Sequence, residues 1–224
     1  MIVCIGDILS AEAVARVRRG LESAAFRDGR ETAGWHARTV KRNEQADNRD
    51  PHVLELRNEV DAAIRDSALF QMAARPRRIM PARFSRYSDS MEYGGHVDDA
   101  VMTSPDGPLR TDVSFTLFLS SPEEYDGGEL VTDTSAGEET YKLPAGSMIV
   151  YPSSTLHRVA PVTRGTRVAA IGWAQSQVRD PARREILFDL DTSRRQLFDR
   201  HGKTEEFDAI SKSLANLLRM WAEV

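Results

Sequence analysis

Apolar residues in the first third of the chain recur every three or four positions, the spacing that places side chains on one face of an α-helix. One stripe follows Ser10, a residue type that caps helix N-termini, and predicts a helix over residues 11–25; its members are Ala11, Val14, Val17 and Leu21. A second stripe predicts a helix over residues 54–74; its members are Val60, Ala63, Ile64, Leu69 and Met72. Between them, residues 27–51 are rich in Gly, Arg, Asn and Asp and predict a loop with at most one strand.

From residue 78 onward, the pattern changes to the alternation of apolar and polar positions that is typical of β-strands. In residues 113–120, Val113, Phe115, Leu117 and Leu119 alternate with Ser114, Thr116, Phe118 and Ser120. This alternation predicts a strand with one buried face. Turns rich in Gly, Pro and Asp separate further predicted strands at residues 79–87, 129–132, 148–151, 156–162 and 167–174. Many short strands of this kind predict a β-sandwich or jelly roll, so the expected fold class is mainly β with flanking helices (α+β).

This pattern divides the chain into three predicted parts. Residues 1–75 form an N-terminal helical segment that packs on a barrel, residues 76–178 form the β-rich domain, and residues 179–224 form a C-terminal helical extension. In the last part, one helix face is apolar; it consists of Phe207, Ile210, Leu214, Leu217, Leu218 and Trp221. Such a face could serve a homo-oligomer as easily as an intrachain core.

Composition and charge exclude several classes of function. A formal net charge of −4 gives no overall attraction to phosphate backbones, so no nucleic-acid partner is expected. The apolar runs are far shorter than the roughly 20 residues that a membrane span needs, and the first residues lack the features of a secretory signal. Cys4 is the only cysteine, so no intrachain disulfide can form. We therefore expect a cytoplasmic protein without a membrane partner.

Two histidines and one aspartate have the arrangement of a metal site. His96 and Asp98 are two positions apart, and in an extended segment residues at that spacing point to the same side. His157, in a separate predicted strand, could complete a triad of two imidazoles and one carboxylate, the ligand set of non-haem Fe(II) oxygenases. A His-x-Asp step is weak evidence alone, because it also occurs in ordinary turns. Asp99 competes with Asp98 as the ligand, but on a strand it would point the other way.

Arg167 and Tyr87 are the candidate partners of an anionic cosubstrate. Arg167 opens a predicted strand whose other residues are mostly apolar, and an inward-facing arginine there needs an anion because an unpaired buried charge is costly. A dicarboxylate could bind the metal with one end and the guanidinium with the other. Tyr87 could donate its hydroxyl to the same distal carboxylate. The expected apolar wall of the site consists of Val113, Phe115, Leu117, Ile149 and Trp173.

Several longer motifs resemble the PKHD-type hydroxylases, bacterial Fe(II)/2-oxoglutarate dioxygenases that are related to prolyl 4-hydroxylases and in some cases associated with iron uptake. Besides residues 96–98, the similar segments are Arg-Thr-Asp-Val-Ser-Phe-Thr-Leu-Phe-Leu at 110–119, Tyr-Asp-Gly-Gly-Glu-Leu at 125–130, Lys-Leu-Pro-Ala-Gly at 142–146, Tyr-Pro-Ser-Ser-Thr-Leu-His-Arg-Val at 151–159 and Pro-Val-Thr-Arg-Gly-Thr-Arg at 161–167. The likeness also includes residues 32–34, 40–41 and 216–221. It is weaker at residues 211–215, where the family pattern has more aromatic and histidine character.

The resemblance implies a double-stranded β-helix and a set of functional residues. His96, Asp98 and His157 would bind Fe(2+), Arg167 would bind the distal carboxylate of 2-oxoglutarate, and Tyr87 would be a second contact to this cosubstrate. The implied reaction consumes O2 and hydroxylates a C–H bond while 2-oxoglutarate is decarboxylated to succinate and CO2, with L-ascorbate as reductant. Mutation of an iron ligand is expected to abolish turnover, and iron affinity should fall in acid because the imidazoles must be deprotonated.

The substrate and two other functional classes stay open at this point. The prolyl-hydroxylase likeness favours a peptide side chain, whereas the iron-uptake association favours a siderophore-like small molecule, and specificity would depend on residues 31–50, 88–92 and 101–110. One alternative is a cupin-type metal enzyme without 2-oxoglutarate, although such sites usually gather three or four histidines and would leave Arg167 without a role. The other is a non-catalytic β-sandwich that binds a small anion or a partner protein.

Overall fold

The computed structural model describes residues 1–104 and 106–223, and β-strands form most of its framework. The strands are β1 (Val3–Ile5), β2 (Phe26–Asp28), β3 (Lys41–Arg42), β4 (Glu44–Ala46), β5 (Pro76–Ile79), β6 (Arg83–Tyr87), β7 (Glu92–His96), β8 (Val101–Ser104), β9 (Gly107–Arg110), β10 (Val113–Phe118), β11 (Tyr125–Gly127), β12 (Leu130–Thr134), β13 (Gly137–Tyr141), β14 (Met148–Pro152), β15 (His157–Val159), β16 (Val162–Gly165) and β17 (Arg167–Ser176). The α-helices are α1 (Ala11–Glu22), α2 (Pro51–Asp66), α3 (Ala68–Ala74), α4 (Pro181–His201) and α5 (Glu205–Trp221), and short 3-10 helices span Gly29–Thr32, Ala37–Thr39 and Pro122–Glu124.

Two antiparallel sheets form the barrel. The major sheet has the strand order β1-β14-β10-β17-β6-β4-β2, with β5 also paired to β17, and the minor sheet has the order β13-β12-β15-β7-β3. Along the chain, β6, β10, β14 and β17 lie in the major sheet, while β7, β12 and β15 between them lie in the minor sheet. This alternation between two facing sheets is the winding of a double-stranded β-helix. The predicted fold class, mainly β with flanking helices and a jelly-roll core, is confirmed.

The first three helices cover the outer face of the major sheet. Residues from α1, α2 and α3 share one apolar core with β10, β14 and β17. At its centre, the ring of Phe70 packs edge-on against the ring of Phe115 at a centroid distance of 5.6 Å. The sheet therefore buries apolar side chains on this face, and its other face is free to carry the residues between the two sheets.

The predicted helices are present, but the second one is interrupted. Ser10 caps α1 by accepting a hydrogen bond from the Ala13 amide, as expected. The single helix predicted over residues 54–74 is two helices, because Ser67 leaves the helical conformation and caps α3. This break shifts the phase of the buried face. Leu69, predicted to be in the core, is 44% exposed, and the neighbouring Phe70 is fully buried instead.

The N-terminal third contributes strands as well as helices. The loop predicted over residues 27–51 contains β3, β4 and part of β2, and these strands extend both sheets: β4 pairs with β6, and β3 pairs with β7. Strands of two or three residues are too short to show an alternating pattern, which is why the sequence did not reveal them. Residues 101–110, one of the segments on which specificity was expected to depend, contain the paired strands β8 and β9.

The C-terminal helices pack against each other and against the chain that leaves β17. Val178, Leu187 and Leu214 form the centre of this small core, and Leu217 and Trp221 contact it as partly buried residues. The apolar face predicted for α5 thus has an intrachain partner, and its use in a homo-oligomer stays a prediction. Among the residues that the structure describes, no helix is long and apolar enough to span a membrane.

Candidate active site

Three side chains from separate stretches meet between the two sheets. His96 ends β7 and His157 begins β15, and the two residues face each other in the register of these antiparallel strands. Asp98 follows two positions after His96. The Asp98 carboxylate lies 4.0 Å from Nε2 of His96 and 3.9 Å from Nε2 of His157. One ligand atom from each residue lies within 4.8 Å of the other two, a separation that suits a single metal ion.

Backbone carbonyls orient both imidazoles. Nδ1 of His96 lies 2.8 Å from the Gly94 carbonyl oxygen, and Nδ1 of His157 lies 2.9 Å from the Thr155 carbonyl oxygen. Because a carbonyl only accepts, each Nδ1 carries a proton and donates a hydrogen bond to the carbonyl, and each Nε2 faces Asp98. Burial, followed by the adjacent His157, lowers the pKa of His96 to about 4. His96 is therefore neutral near pH 7, the form that binds metal.

Ser114 holds the Asp98 carboxylate, and Ser153 contacts Ser114 from behind. The Ser114 hydroxyl donates to Oδ2 of Asp98 at 2.6 Å and lies 2.7 Å from the Ser153 hydroxyl, which is also buried. Ser114 belongs to β10 of the major sheet, so this bond connects the Asp98 carboxylate to the opposite sheet. Sequence reasoning missed Ser114, although its polar position within the apolar alternation of residues 113–119 was the available signal.

We expect Ser114→Ala to lower the metal affinity of the protein by about 10-fold or more, because hydrogen bonds behind a ligand orient it and tune its basicity. Anaerobic titration with Fe(II) measures the metal affinity of the variant and of wild type. Ser120→Ala is the matched control: its buried hydroxyl bonds only backbone groups, the Thr166 carbonyl and the Val168 amide, so it should change stability without changing metal affinity. Equal metal affinity in the Ser114 variant and wild type would contradict the positioning role.

Arg167 lies in the same cavity as the triad and is buried without an anionic partner. Its side chain is 1% exposed, its Nε has no hydrogen-bond partner, and no carboxylate of the described residues lies within 4.0 Å. Tyr87 is its direct cross-strand neighbour on β6, with 5.2 Å between the guanidinium carbon and the ring centroid. Burial raises the pKa of Tyr87, so its hydroxyl stays protonated and can donate. This pair offers hydrogen-bond donors that fit a carboxylate.

Gly128 makes room for Arg167. A Cβ atom at Gly128 would lie 2.8 Å from Cγ2 of Val162 and 3.1 Å from Cδ of Arg167, and the backbone there has φ of +67°. We expect Gly128→Ala to displace the guanidinium and weaken 2-oxoglutarate binding by about 10-fold or more, since small misplacements in a site have large effects.

Gly137→Ala is the control for that substitution. Titration with 2-oxoglutarate measures the cosubstrate affinity of both variants, and thermal melting measures their stability. Gly137 also has positive φ, +115°, but an added Cβ would meet no atom within 4 Å. Both variants should lose stability through backbone strain. Only the Gly128 variant should lose cosubstrate affinity, and equal affinities would refute the packing argument.

The apolar wall differs from the prediction. Val113 and Leu117 belong to the core beneath the helices. Phe115 belongs to the same core and also lines the cavity, as predicted. The other face of β10, with Ser114, Thr116 and Phe118, points between the sheets. Both faces of this strand are buried, because helices cover one side and the minor sheet covers the other. The alternating pattern therefore located the strand but not which face lines the cavity. Trp173 does line it, whereas Ile149 packs in the core between the sheets.

The cavity contains two further cations and an aromatic stack. It has about 730 Å³ of space between atoms, part of it open to solvent, and is lined by residues of both sheets. The Tyr93 ring stacks on the His96 imidazole at a centroid distance of 3.5 Å. Lys41 and Arg83 also line the cavity, as does Asp99, which was expected to point away. Lys41 and Arg83 were not recognised as site residues: Lys41 lies in a segment of family likeness (residues 40–41) that assigned it no role, and Arg83 lies in no motif.

Comparison with known proteins gives a consistent family assignment. Residues 82–175 match a family model described as 2OG-Fe(II) oxygenase superfamily, and residues 181–223 match the PKHD-type hydroxylase C-terminal domain. A PKHD-type hydroxylase of Synechococcus elongatus is 52% identical over 223 residues, and one of Acaryochloris marina is 54% identical over 223 residues; both alignments cover 100% of this chain and of the relative.

Solved structures share the fold at low sequence identity. A prolyl-4-hydroxylase of Pseudomonas putida aligns with a TM-score of 0.51 and 22% identity, covering 78% of this chain and 92% of the other. A prolyl hydroxylase of Trichoplax adhaerens, in complex with a peptide fragment of a hypoxia inducible factor oxygen degradation domain, aligns with a TM-score of 0.56 and 14% identity, covering 78% and 83%. These similarities support the jelly-roll assignment.

Proposed function

We propose that this chain, which belongs to the family of PKHD-type hydroxylases, couples decarboxylation of 2-oxoglutarate to hydroxylation of a C–H bond in a small molecule or peptide side chain. The family makes the protein an oxidoreductase of the 2OG-Fe(II) oxygenase type. The observation that carries the proposal is the pairing of two features in one buried cavity. One is a triad of two imidazoles and a carboxylate, and the other is an arginine without an anionic partner.

The triad fits a ferrous ion in number and type of donor. His96, Asp98 and His157 would occupy one face of the ion and leave the other positions to cosubstrate and oxygen. When bound, the ferrous ion with 2-oxoglutarate and O2 supplies the oxidant for hydroxylation, and L-ascorbate would keep the iron reduced. The carbonyls behind each Nδ1 and the Ser114 hydroxyl behind Asp98 hold the three ligands in place.

Arg167 and Tyr87 would bind the distal carboxylate of 2-oxoglutarate. The guanidinium is enclosed by the rings of Tyr87 and Phe118, at 5.2 and 5.3 Å from its central carbon, so bulk water does not compete for it. A carboxylate held there in two hydrogen bonds would fix the cosubstrate in one orientation and satisfy the buried charge. The remaining space faces Lys41, Arg83 and Trp173, where the substrate would enter.

A metal enzyme that does not use 2-oxoglutarate is less compatible with this geometry. Within residues 1–104 and 106–223, the triad is the only group of three or more potential ligands close enough to hold an ion, and it contains two histidines rather than three or four. Such an enzyme would also leave the buried Arg167 charge uncompensated, an arrangement that is energetically costly.

The decisive experiment combines a spectroscopic and a product measurement. Anaerobic mixing of the protein with Fe(II) and 2-oxoglutarate should produce a visible charge-transfer band, and admission of air should release succinate. Candidate peptides and siderophores are then tested for stimulated succinate release and for a mass gain of one oxygen. A protein that gives neither the band nor 2-oxoglutarate-dependent succinate would contradict the proposal.

A further inference from the structure

Lys41 and Arg83 are two cations in the cavity wall that the proposed chemistry does not use. Lys41 lies on β3 of the minor sheet and Arg83 at the start of β6 of the major sheet, so they approach the cavity from opposite sides. Lys41 is only 4% exposed, and its Nζ donates one hydrogen bond, to the Thr32 hydroxyl at 3.1 Å. Arg83 lies over the Trp173 ring, with 5.5 Å between its guanidinium carbon and the ring centroid.

Neither side chain has a carboxylate within ion-pair distance among the described residues. Arg86, three positions after Arg83 on the same strand, is by contrast paired with an anion. Its guanidinium lies 2.7 Å from the Glu44 carboxylate and over the Phe26 ring. Burial, followed by the nearby charge of Arg83, lowers the pKa of Lys41 to about 8. The two cations therefore repel each other and are partly desolvated, a cost that a bound anion would offset.

The charge balance of the loaded site leaves room for one more anion. Among the described lining residues, Lys41, Arg83 and Arg167 oppose only Asp98 and Asp99. A ferrous ion and the two carboxylates of 2-oxoglutarate would cancel each other, so their binding would leave one positive charge in the cavity. The cosubstrate would compensate the charge of Arg167, so the remaining positive charge belongs to Lys41 and Arg83.

The two cations are close to the reacting centre. Lys41 Nζ lies 5.0 Å from the Tyr93 ring centroid, and that ring stacks directly on the His96 imidazole. Trp173, beneath Arg83, lies on β17, the strand that also carries Arg167. A group bound by Lys41 and Arg83 would therefore share the cavity with the triad and contact the aromatic ring that stacks on His96.

We infer that the substrate of this enzyme carries a carboxylate that binds Lys41 and Arg83 close to the C–H bond to be hydroxylated; the inference rests on the proposed function. The aromatic rings of Tyr93 and Trp173 beneath the two cations provide an apolar surface for the carbon skeleton next to that carboxylate. The carboxylate can belong to a free organic acid or to an acidic side chain of a peptide, and the experiment distinguishes these sources.

The test measures binding rather than turnover. Protein loaded with Mn²⁺ and saturated with 2-oxoglutarate, so that Arg167 is occupied, is titrated calorimetrically with benzoate and with its neutral counterpart benzamide. A second arm uses the blocked tripeptides acetyl-Ala-Glu-Ala-amide and acetyl-Ala-Gln-Ala-amide. We expect the charged member of at least one pair to bind about tenfold or more tightly than its neutral counterpart, because charge-assisted hydrogen bonds form only with the carboxylate. The arm that shows the difference identifies the source.

Variants locate the binding to the two cations. Lys41→Met and Arg83→Met should each weaken binding of the charged probe by about tenfold or more, whereas Arg86→Met, on the same strand but outside the cavity, should leave it unchanged. Arg83→Lys retains the charge at a partly exposed position and should bind within a few-fold of wild type. Melting temperatures identify a variant that fails to fold. In that case, the comparison of Arg83→Met with Arg83→Lys decides whether the positive charge at position 83 binds the probe.

Three outcomes would overturn the inference: equal binding of charged and neutral probes, no measurable binding of either charged probe by wild type, or undiminished binding by the two Met variants. Titration of 2-oxoglutarate into the Mn²⁺ protein is recorded separately. Absence of that binding would contradict the proposed function itself, whereas normal 2-oxoglutarate binding without discrimination between the probes contradicts only the carboxylate inference.

Discussion

Asp98→Ala is expected to abolish succinate release and to lower iron affinity by more than about 100-fold, since even outer residues that support a ligand contribute 10- to 100-fold. Asp98 supplies the only carboxylate of the triad, and its oxygens lie about equally far from both Nε2 atoms. Without it, the two imidazoles would remain, and a ferrous ion would lose its one anionic protein ligand. Anaerobic Fe(II) titration and the charge-transfer band with 2-oxoglutarate measure the two losses.

Asp99→Ala is the matched control for this change. Asp99 is the next residue, carries the same charge and lines the same cavity, but it is not part of the triad. The Asp99→Ala variant should therefore retain iron binding and the charge-transfer band. Normal 2-oxoglutarate turnover by the Asp98 variant, or a larger loss of iron affinity in the Asp99 variant, would refute the ligand assignment.

Arg167→Met is expected to raise the 2-oxoglutarate concentration needed for half-maximal turnover by at least about 30-fold, because removing one partner of a buried charged hydrogen-bonded pair costs about 2–5 kcal/mol. Iron binding should change little, since the guanidinium is not a ligand. Without cosubstrate, the variant should melt at the same or a higher temperature than wild type, because Arg167 is then a buried charge without an anionic partner.

The thermal measurement separates cosubstrate binding from a merely structural role. In wild type, saturating 2-oxoglutarate with Mn²⁺ should raise the melting temperature, and in the Arg167 variant this increase should disappear. Arg164→Met removes a nearby exposed arginine that pairs with Asp126, and it should behave like wild type. The contrary result is an Arg167 variant that is strongly destabilised without cosubstrate and still shows the ligand-induced rise in melting temperature. That result would mean that Arg167 stabilises the core and does not bind 2-oxoglutarate.

The sequence predicted the fold class and the triad because both depend on patterns that are local or carried by whole motifs. Alternation over residues 113–119 located β10, and the spacing of Ser10, Val14, Val17 and Leu21 located α1 with its cap. His96 and Asp98 belong to one recognisable segment and His157 to another, and the structure brings the three side chains close enough to bind one ion. The placement of Tyr87 beside Arg167 also agrees with the expectation, while its role stays a prediction.

Other features depended on which elements face each other. Alternation predicts a strand but cannot say whether its apolar face lies under helices or toward a cavity, so Val113 and Leu117 were expected in the cavity wall but lie in the core beneath the helices. Similarly, the short strands β3 and β4 form because neighbouring strands supply their hydrogen-bond partners, which residues 27–51 do not encode locally.

The amino-acid sequence by itself thus determined the jelly-roll class, the first helix with its cap and the identity of the triad, because periodicity and motif spacing are properties of the chain. Only the tertiary structure decided that Ser114 supports Asp98, that Gly128 makes room for Arg167 and that Lys41 and Arg83 enter the same cavity. These residues come from segments far apart along the chain, and their contacts exist only once the two sheets have closed on each other.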